Sequence, residues 1–166
     1  MSFQGRYPVE QLPLFVYGTF RREQQNYMLL RGHTLSEEPA FVQGMSLYSL
    51  RAYPFGVWGS HRVIGELMII NPRIYYSLLA KLDRVEGHDP QAESWIFRRE
   101  QCLVTTEHQD GVRAWVYIGN ADYVAMQPHI FVPHGDWTRY RRELIMGTRF
   151  GRFVPANSSN ESPAVE

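Results

Sequence analysis

The segment LDRVEGHD, residues 82–89, places an acidic side chain on the apolar face of a predicted helix. Residues 71–87 project at about 100° per residue as an amphipathic helix with one continuous apolar arc. The arc consists of Ile74, Tyr75, Leu78, Leu79, Leu82 and Val85. Glu86 lies at about 20° when Tyr75 is the origin, between the directions of Tyr75 and Leu79. A carboxylate at that position loses hydration, which disfavours its charged form and raises its pKa.

A carboxyl group with a pKa near neutrality suits general acid–base chemistry at physiological pH. The negative end of the helix dipole raises the pKa of Glu86 further, because this residue lies beside the predicted C-terminus. The alternative interpretation makes Glu86 a residue of the frayed last turn, with its side chain in water. The projection leaves both interpretations open.

Segments rich in β-branched and aromatic residues predict the strands that must position this group. They are residues 12–19, 40–50, 61–70, 95–108 and 112–120. The QDG tripeptide between the last two segments is a hairpin signal, so these two strands are expected to pair antiparallel. Residues 51–60 contain Pro54, Gly56 and Gly59 and predict an irregular connection.

Three segments predict helices. Residues 21–32 favour a short helix that ends at Gly32. Asn71 followed by Pro72 predicts a capped helix start, and the helix continues to about Val85. Asp136 is a possible N-cap for a third helix, which carries Trp137, Tyr140 and Leu144 at helical spacing.

The size and charge of the chain restrict its function. With 166 residues it fits one domain, expected at residues 1–150, followed by a polar tail at 151–166 expected to be disordered. The 17 basic and 17 acidic side chains give a net charge of +0, which argues against a nucleic-acid partner. No signal peptide or long apolar segment is present, so we expect a cytoplasmic protein without a membrane partner.

Several other residues are candidates for a functional role. Glu66 shares a strand face with apolar residues, so it is a rival base, a residue of the cavity rim or edge, or a partner of the site. Tyr117 is a candidate to present its hydroxyl to the site or to pack within a barrel wall. Cys102 has no informative histidine spacing and is expected to be a buried, inert thiol. His88 and Asp89 form a weak metal-site candidate; no metal site is expected.

Seven motifs occur in the order and spacing of the gamma-glutamyl cyclotransferase-like family, which this chain resembles over residues 14–140. They are VYGTFRREQQN (16–26), YPFG (53–56), VIGELM (63–68), LDRVEG (82–87), FRREQCLV (97–104), WVYIG (115–119) and GDW (135–137). The resemblance implies an α+β fold in which helices surround a small, twisted, mainly antiparallel β-barrel.

The resemblance also implies an activity, namely release of 5-oxoproline from a small-molecule γ-glutamyl substrate without a cofactor. It assigns the general acid and base to Glu86. It assigns the binding of the glutamyl group to the turn Tyr17, Gly18, Thr19 and Phe20, and we expect Tyr53, Pro54 and Tyr117 to complete the substrate site. The amides near Gly18 and Thr19 are expected to bind either the substrate carboxylate or the developing oxyanion.

The chain departs from the family pattern at two positions of the site. Phe20 replaces the common leucine, and Phe97 replaces the usual tyrosine and so removes a hydroxyl. The missing hydroxyl motivates a second hypothesis, a module that binds a glutamyl-like ligand without turnover. A third hypothesis is a domain whose aromatic surface serves an interaction partner.

Overall fold

Two long antiparallel strands, β2 (Thr34–Leu50) and β3 (Tyr53–Ile70), form the most extensive backbone pairing in a computed structural model. The structure describes residues 10–150, with side chains described up to residue 147. The predicted polar tail at 151–166 lies outside the described residues. The register of β2 against β3 shifts at two places in β2, between Thr34 and Ser36 and between Gln43 and Met45.

Three further strands close the barrel: β1 (Leu14–Val16), β4 (Phe97–Thr106) and β5 (Val112–Gly119). The order β3-β1-β5-β4-β2 returns to β3 through the β2–β3 pairing, so five strands form a closed ring. Only the β1–β5 pairing in this ring is parallel. A short strand, β6 (Ile130–Phe131), pairs with β2 outside the ring. The predicted α+β class and mainly antiparallel barrel are confirmed.

The predicted irregular connection at residues 51–60 is wrong. Arg51 and Ala52 form a two-residue turn with φ angles of 47° and 61°, and β3 begins directly after it. The glycines of this segment lie within the strand because neighbouring side chains approach its backbone closely. A Cβ atom on Gly56 would lie 2.8 Å from the ring of Tyr17. The glycine therefore serves a tertiary contact and not a turn.

The helix predicted after Asn71 is confirmed. The side chain of Asn71 accepts a hydrogen bond from the backbone N–H of Arg73 at 3.0 Å, and the 3₁₀ turn Pro72–Ile74 leads into α1 (Tyr75–Glu86). The predicted apolar arc is buried at Tyr75, Leu78, Leu79 and Leu82. Val85 is an exception, because it is 46% exposed.

The other two helix predictions had different outcomes. The helix α3 (Trp137–Phe150) starts at Asp136, whose carboxylate accepts a hydrogen bond from Arg139 N–H at 3.2 Å, as predicted. The helix expected at residues 21–32 is wrong, since only the 3₁₀ turn Tyr27–Leu29 forms there. Glu23 has a positive φ of 66°, which interrupts a right-handed helix. The sequence patterns also missed the short helix α2 (Ala121–Met126).

Two of the three clusters of the core surround β1 and fix the position of the site. Phe15, Val63 and Val116 pack inside the barrel with Trp137 of α3. On the other side of β1, the apolar face of α1 packs against side chains that include Leu14, Val16 and Met68. Burial of each large apolar side chain contributes roughly 1.5–3 kcal/mol, so α1 is held firmly against the strand that precedes the predicted binding turn. Within residues 10–150, no helix has the length and apolarity needed to cross a membrane.

Candidate active site

The turn that follows β1 forms one side of a pocket. Gly18, Thr19 and Phe20 line this pocket, and within residues 10–147 the structure assigns no acceptor to their backbone N–H groups. Gly18 packs directly on Pro54, and a Cβ atom at Gly18 would lie 2.7 Å from Pro54 Cγ. The turn is closed by a hydrogen bond from Arg21 N–H to the Gly18 carbonyl at 3.0 Å. The arrangement leaves donors available for an anionic or carbonyl oxygen of a ligand.

Glu66 anchors this turn to the barrel. One of its carboxylate oxygens pairs with Arg21 Nε, and the other accepts a hydrogen bond from Arg22 N–H at 3.1 Å. The Arg21 guanidinium also donates to Asp136 Oδ1 at 2.8 Å, so it connects the turn to the start of α3. Burial raises the pKa of Glu66, and the charge of Arg21 opposes that shift. Because Glu66 is occupied and does not line the pocket, its role as a rival base is not supported.

Glu86 is the last residue of α1, and its side chain lines the pocket. Gly87, with a φ of 72°, provides the left-handed cap that ends the helix. Glu86 therefore does not act as a capping residue with its side chain in water. In the part of the chain that the structure describes, Glu86 has no hydrogen bond or ion pair. Burial raises its pKa from 4.5 to about 7, which is the range required of a general base.

Two tyrosine hydroxyls near Glu86 are already occupied by partners in the protein. Tyr17 donates to the Tyr117 carbonyl at 2.7 Å and accepts from Gly56 N–H at 3.1 Å. Tyr117 donates to Asp83 Oδ1 at 2.7 Å, and Asp83 also pairs with Arg99 at 2.9 Å. Of the two alternatives for Tyr117, the structure supports packing within the wall. Its ring still lines the pocket, so Tyr117 contributes shape rather than a hydrogen bond.

Aromatic side chains from β3 and β4 form the opposite wall. Tyr53 is half-buried, and its ring lies 5.8 Å from that of Phe55. Phe97 is buried and stacks on Phe55 with ring centroids 4.5 Å apart. Burial and the nearby charge of Glu86 raise the pKa of Tyr53, so its phenol stays protonated near neutral pH. At Phe97 the wall offers only an apolar ring.

The pocket encloses about 320 Å³, including its open mouth. All eight residues expected to form the site line it, as do Phe15, Val16 and Phe97. Those eight are Tyr17, Gly18, Thr19, Phe20, Tyr53, Pro54, Glu86 and Tyr117. Among the lining side chains that belong to residues 10–147, Glu86 is the only charged one. The structure therefore brings the predicted residues together around one unpaired carboxyl group, and their functional roles remain predictions.

Supporting residues that the sequence reasoning did not identify as such lie one contact away from the pocket. Arg21 and Asp83 fix the binding turn and the ring of Tyr117, respectively. Asn26 donates to Thr19 Oγ1 at 3.0 Å and so orients the Thr19 side chain. Asn26 and Arg21 belong to the motif VYGTFRREQQN, which was a signal that they serve the turn. The hydrogen-bond partners of these residues are distant in the sequence or do not follow a helix or strand spacing. The individual contacts could therefore not be predicted from the neighbouring residues.

The surroundings of Cys102 and His88 suit roles in the fold rather than thiol or metal chemistry. Cys102 is buried, as predicted, and burial raises the pKa of its thiol to about 12, which keeps it protonated. His88 Nδ1 accepts a hydrogen bond from Arg99 N–H at 3.0 Å. Across the described side chains, no group of three or more His, Cys, Asp or Glu residues is placed to hold a metal ion.

The sequence profile of a known family, described as "Gamma-glutamyl cyclotransferase, AIG2-like", matches residues 14–139. The chain belongs to this family. The match begins at β1 and extends into the first turn of α3, so it includes every residue that lines the pocket. This member of the AIG2-like gamma-glutamyl cyclotransferase family thus has the complete pocket within its family region.

Two curated relatives are similar over most of their length. The chain is 26% identical over 143 residues to the gamma-L-glutamyl-butirosin B gamma-glutamyl cyclotransferase of Niallia circulans, covering 86% of this chain and 85% of the relative. It is 32% identical over 124 residues to a Vibrio cholerae protein that is named provisionally as a gamma-glutamylcyclotransferase, covering 75% of this chain and 93% of that protein.

A solved structure from Pyrococcus horikoshii has the same fold. Its TM-score is 0.58 at 17% sequence identity, and the match covers 81% of this chain and 97% of that one. At this level of identity the similarity establishes the architecture of the AIG2-like member described above, and nothing further about its chemistry.

Proposed function

We propose that this protein is a cofactor-independent γ-glutamyl cyclotransferase. It releases 5-oxoproline and a free amine from a γ-glutamyl amino acid or a γ-glutamylamine. The observation that carries the proposal is the unpaired Glu86 carboxyl group, with a pKa of about 7, facing the same pocket as the turn Tyr17, Gly18, Thr19 and Phe20. Family membership and the names of both curated relatives support γ-glutamyl cyclotransferase activity in general.

Glu86 acts first as the general base. The α-amine of a free γ-glutamyl group is an ammonium at neutral pH and cannot attack until it loses a proton. The Glu86 carboxylate accepts that proton, and the α-nitrogen then attacks the γ-carbonyl carbon of the same molecule to close a five-membered ring. A carboxyl group with a pKa of about 7 is substantially ionised at neutral pH and still returns a proton readily.

Glu86 then acts as the general acid. It delivers its proton to the leaving nitrogen, and the bond between the γ-carbon and this nitrogen breaks. The second proton of the attacking nitrogen moves to the same leaving group, so 5-oxoproline departs neutral at its ring nitrogen and the amine departs as an ammonium. The reaction is an intramolecular acyl transfer with loss of an amine, which fits an acyltransferase or amidine-lyase type of enzyme.

The pocket contributes chiefly by folding the substrate. A flexible glutamyl chain must bend so that its α-nitrogen approaches its γ-carbon. Because the pocket holds this conformation, the entropic part of the activation free energy for ring closure is lower. The free N–H groups of Gly18, Thr19 and Phe20 are suited to an oxygen ligand. The apolar walls around Phe97 and Phe15 reduce the contact of water with the group that transfers the proton.

A turnover assay tests the proposal. Purified protein is incubated with a panel of γ-glutamyl amino acids and γ-glutamylamines, and 5-oxoproline is measured by mass spectrometry. We expect product from at least one class and a loss of at least about 100-fold in kcat for Glu86→Gln. Glu107→Gln is the matched control, because Glu107 is exposed in the β4–β5 hairpin. Equal activity of the wild type and Glu86→Gln would refute the assignment of the base.

The hydroxyl missing at Phe97 motivates a second candidate, a binding module of the same fold. Phe97 lines the pocket and presents only an apolar ring there. A module of this kind would produce no 5-oxoproline from any substrate of the panel, and glutamate or 5-oxoproline would still raise its melting temperature. Absence of both turnover and a thermal shift would leave the interaction-domain hypothesis.

A further inference from the structure

Three phenol groups line the pocket, and the protein already uses the hydrogens of two of them. Tyr17 donates its hydroxyl hydrogen to the Tyr117 carbonyl at 2.7 Å. Tyr117 donates its own to Asp83 Oδ1, also at 2.7 Å. A phenol has a single hydrogen to donate, so neither group can serve a substrate without breaking an internal bond. Tyr53 is the remaining phenol of the pocket.

The Tyr53 hydroxyl has no hydrogen-bond acceptor among residues 10–147, in contrast to the hydroxyls of Tyr17 and Tyr117. Thr19 lines the same pocket, and its Oγ1 accepts a hydrogen bond from Asn26 Nδ2 at 3.0 Å. The hydrogen of the Tyr53 phenol is therefore available to a ligand in the pocket that Glu86 also lines.

We propose that Tyr53 is a catalytic residue that donates a hydrogen bond to the γ-carbonyl oxygen of the substrate as this oxygen becomes an oxyanion. The inference rests on the proposed cyclotransferase function and assigns a second chemical role within the same site. In the attack conformation the α-nitrogen and the γ-carbonyl lie against each other, so the base and the oxyanion donor must be neighbours. Glu86 and Tyr53 meet this requirement, since both line the same pocket.

This assignment divides the donors of the pocket between two oxygens of the substrate. The N–H groups of Gly18, Thr19 and Phe20 form a cluster that matches a carboxylate, which is charged throughout the reaction. Tyr53 provides a single neutral donor, which matches an oxygen whose charge develops only during attack. The Phe97 ring lies 6.3 Å from that of Tyr53 and offers no polar atom. Tyr53 therefore supplies the hydroxyl of this wall.

The step requires no covalent change at Tyr53. The bond between the α-nitrogen and the γ-carbon forms, the carbonyl π electrons move to oxygen, and the phenol hydrogen bond shortens. When the bond to the leaving nitrogen breaks, the electrons return and the phenol keeps its proton. Burial and the charge of Glu86 keep the Tyr53 phenol protonated through this cycle, because both raise its pKa.

Tyr53→Phe tests the inference, with Tyr123→Phe as the matched control. Tyr123 is also half-buried, packs on Phe55 in the neighbouring aromatic cluster and does not line the pocket. In steady-state assays we expect kcat of Tyr53→Phe to fall about 100-fold, with KM unchanged within about threefold, because the donor acts mainly in the transition state. The thermal shift produced by 5-oxoproline should remain, and Tyr123→Phe should keep wild-type kinetics.

Each result separates the inference from the function on which it rests. An active wild type, an inactive Glu86→Gln and a Tyr53→Phe variant with wild-type kcat would overturn the role of Tyr53 and leave the cyclotransferase standing. A rise in KM without a fall in kcat would also overturn it, because Tyr53 would then only bind the ground state. A wild type inactive on the whole panel would overturn both proposals. Loss of kcat with a retained thermal shift would exclude misfolding as the cause and support the inference.

Discussion

Replacing Glu86 with glutamine should stabilise the protein above neutral pH while it removes activity. Burial raises the pKa of Glu86 from 4.5 to about 7, because the ionised carboxylate loses water in the pocket. In the folded state the carboxyl group therefore holds its proton to higher pH than in the unfolded chain. Its contribution to stability is fully present below about pH 4.5 and is lost as the pH rises to about 7.

The magnitude follows from the size of the pKa shift. Between the two pKa values the carboxyl group loses its proton in the unfolded chain but keeps it in the folded protein. Above the higher pKa value, the free energy of unfolding is therefore about 3 kcal/mol lower than at low pH. Water entering the open mouth of the pocket makes this figure an upper limit. Glutamine keeps the shape of the side chain without the charge, so the variant does not lose this stability. For a domain of this size the gain corresponds to roughly 6–12 °C in melting temperature at pH 8.

Urea denaturation of the wild type and Glu86→Gln at pH 4.5 and pH 8 provides the measurement. The two proteins should have similar free energies of unfolding at pH 4.5, and the variant should be more stable at pH 8. Glu107→Gln controls for the general effect of removing a carboxylate, since Glu107 is exposed and should show no such pH-dependent gain. If Glu86→Gln is equally or less stable than the wild type at both pH values, the carboxyl group is not desolvated and the argument for its pKa fails.

Three further predictions concern the base and the turn. The kcat/KM of the wild type should rise as the pH increases through about 7, because Glu86 must be ionised to accept a proton; an initial-rate pH profile measures this. Gly18→Ala should raise KM at least about tenfold, since the new Cβ would lie 2.7 Å from Pro54 Cγ and push the turn from its position; steady-state kinetics across a substrate series test it. Arg21→Met should destabilise the fold by about 3–5 kcal/mol in urea denaturation because it leaves the Glu66 carboxylate buried without its cation, and Arg21→Met combined with Glu66→Leu should recover part of that loss.

Local signals predicted those parts of the fold in which neighbouring residues decide the structure. Asn71 and Pro72 start α1 because a side-chain oxygen and a missing N–H both suit a first helical turn. The 3.6-residue period of α1 then places Glu86 over the same face as Tyr75 and Leu79, so helix geometry alone turns its side chain toward the barrel. The Asp-Gly hairpin between β4 and β5 depended equally on a short stretch of chain.

The failures occurred where tertiary contacts decide the conformation. Gly56 had the local signature of a loop, yet it lies in β3 because the ring of Tyr17 occupies the space of a side chain. Residues 21–32 have good helix formers, but Arg21 is held by Glu66 from a distant strand and Glu23 adopts a positive φ. No pattern within those segments records such long-range partners.

The same limit applied to the hydroxyl groups of the pocket. The sequence offered Tyr117 either as a donor to the site or as part of the barrel wall, and its ring lines the pocket. The direction of its hydroxyl depends on Asp83, which comes from the facing surface of α1. A strand pattern gives the side of a sheet on which a residue lies, and only the packed structure gives the partner of its polar atom.

Glu66 and Glu86 show what distinguishes a structural carboxylate from a reactive one in this barrel. Both lie among apolar side chains, and burial raises the pKa of both. Arg21 opposes this shift at Glu66 by neutralising its charge, and the resulting ion pair holds the binding turn in place. Within the described residues no cation pairs with Glu86, so its pKa stays near 7. The cost is a lower free energy of unfolding when the carboxylate is ionised. A cation beside Glu86 would stabilise the carboxylate and lower its pKa, and the group would then be a poor acid for the leaving nitrogen. The unpaired state of Glu86 is therefore the feature that the proposed chemistry requires.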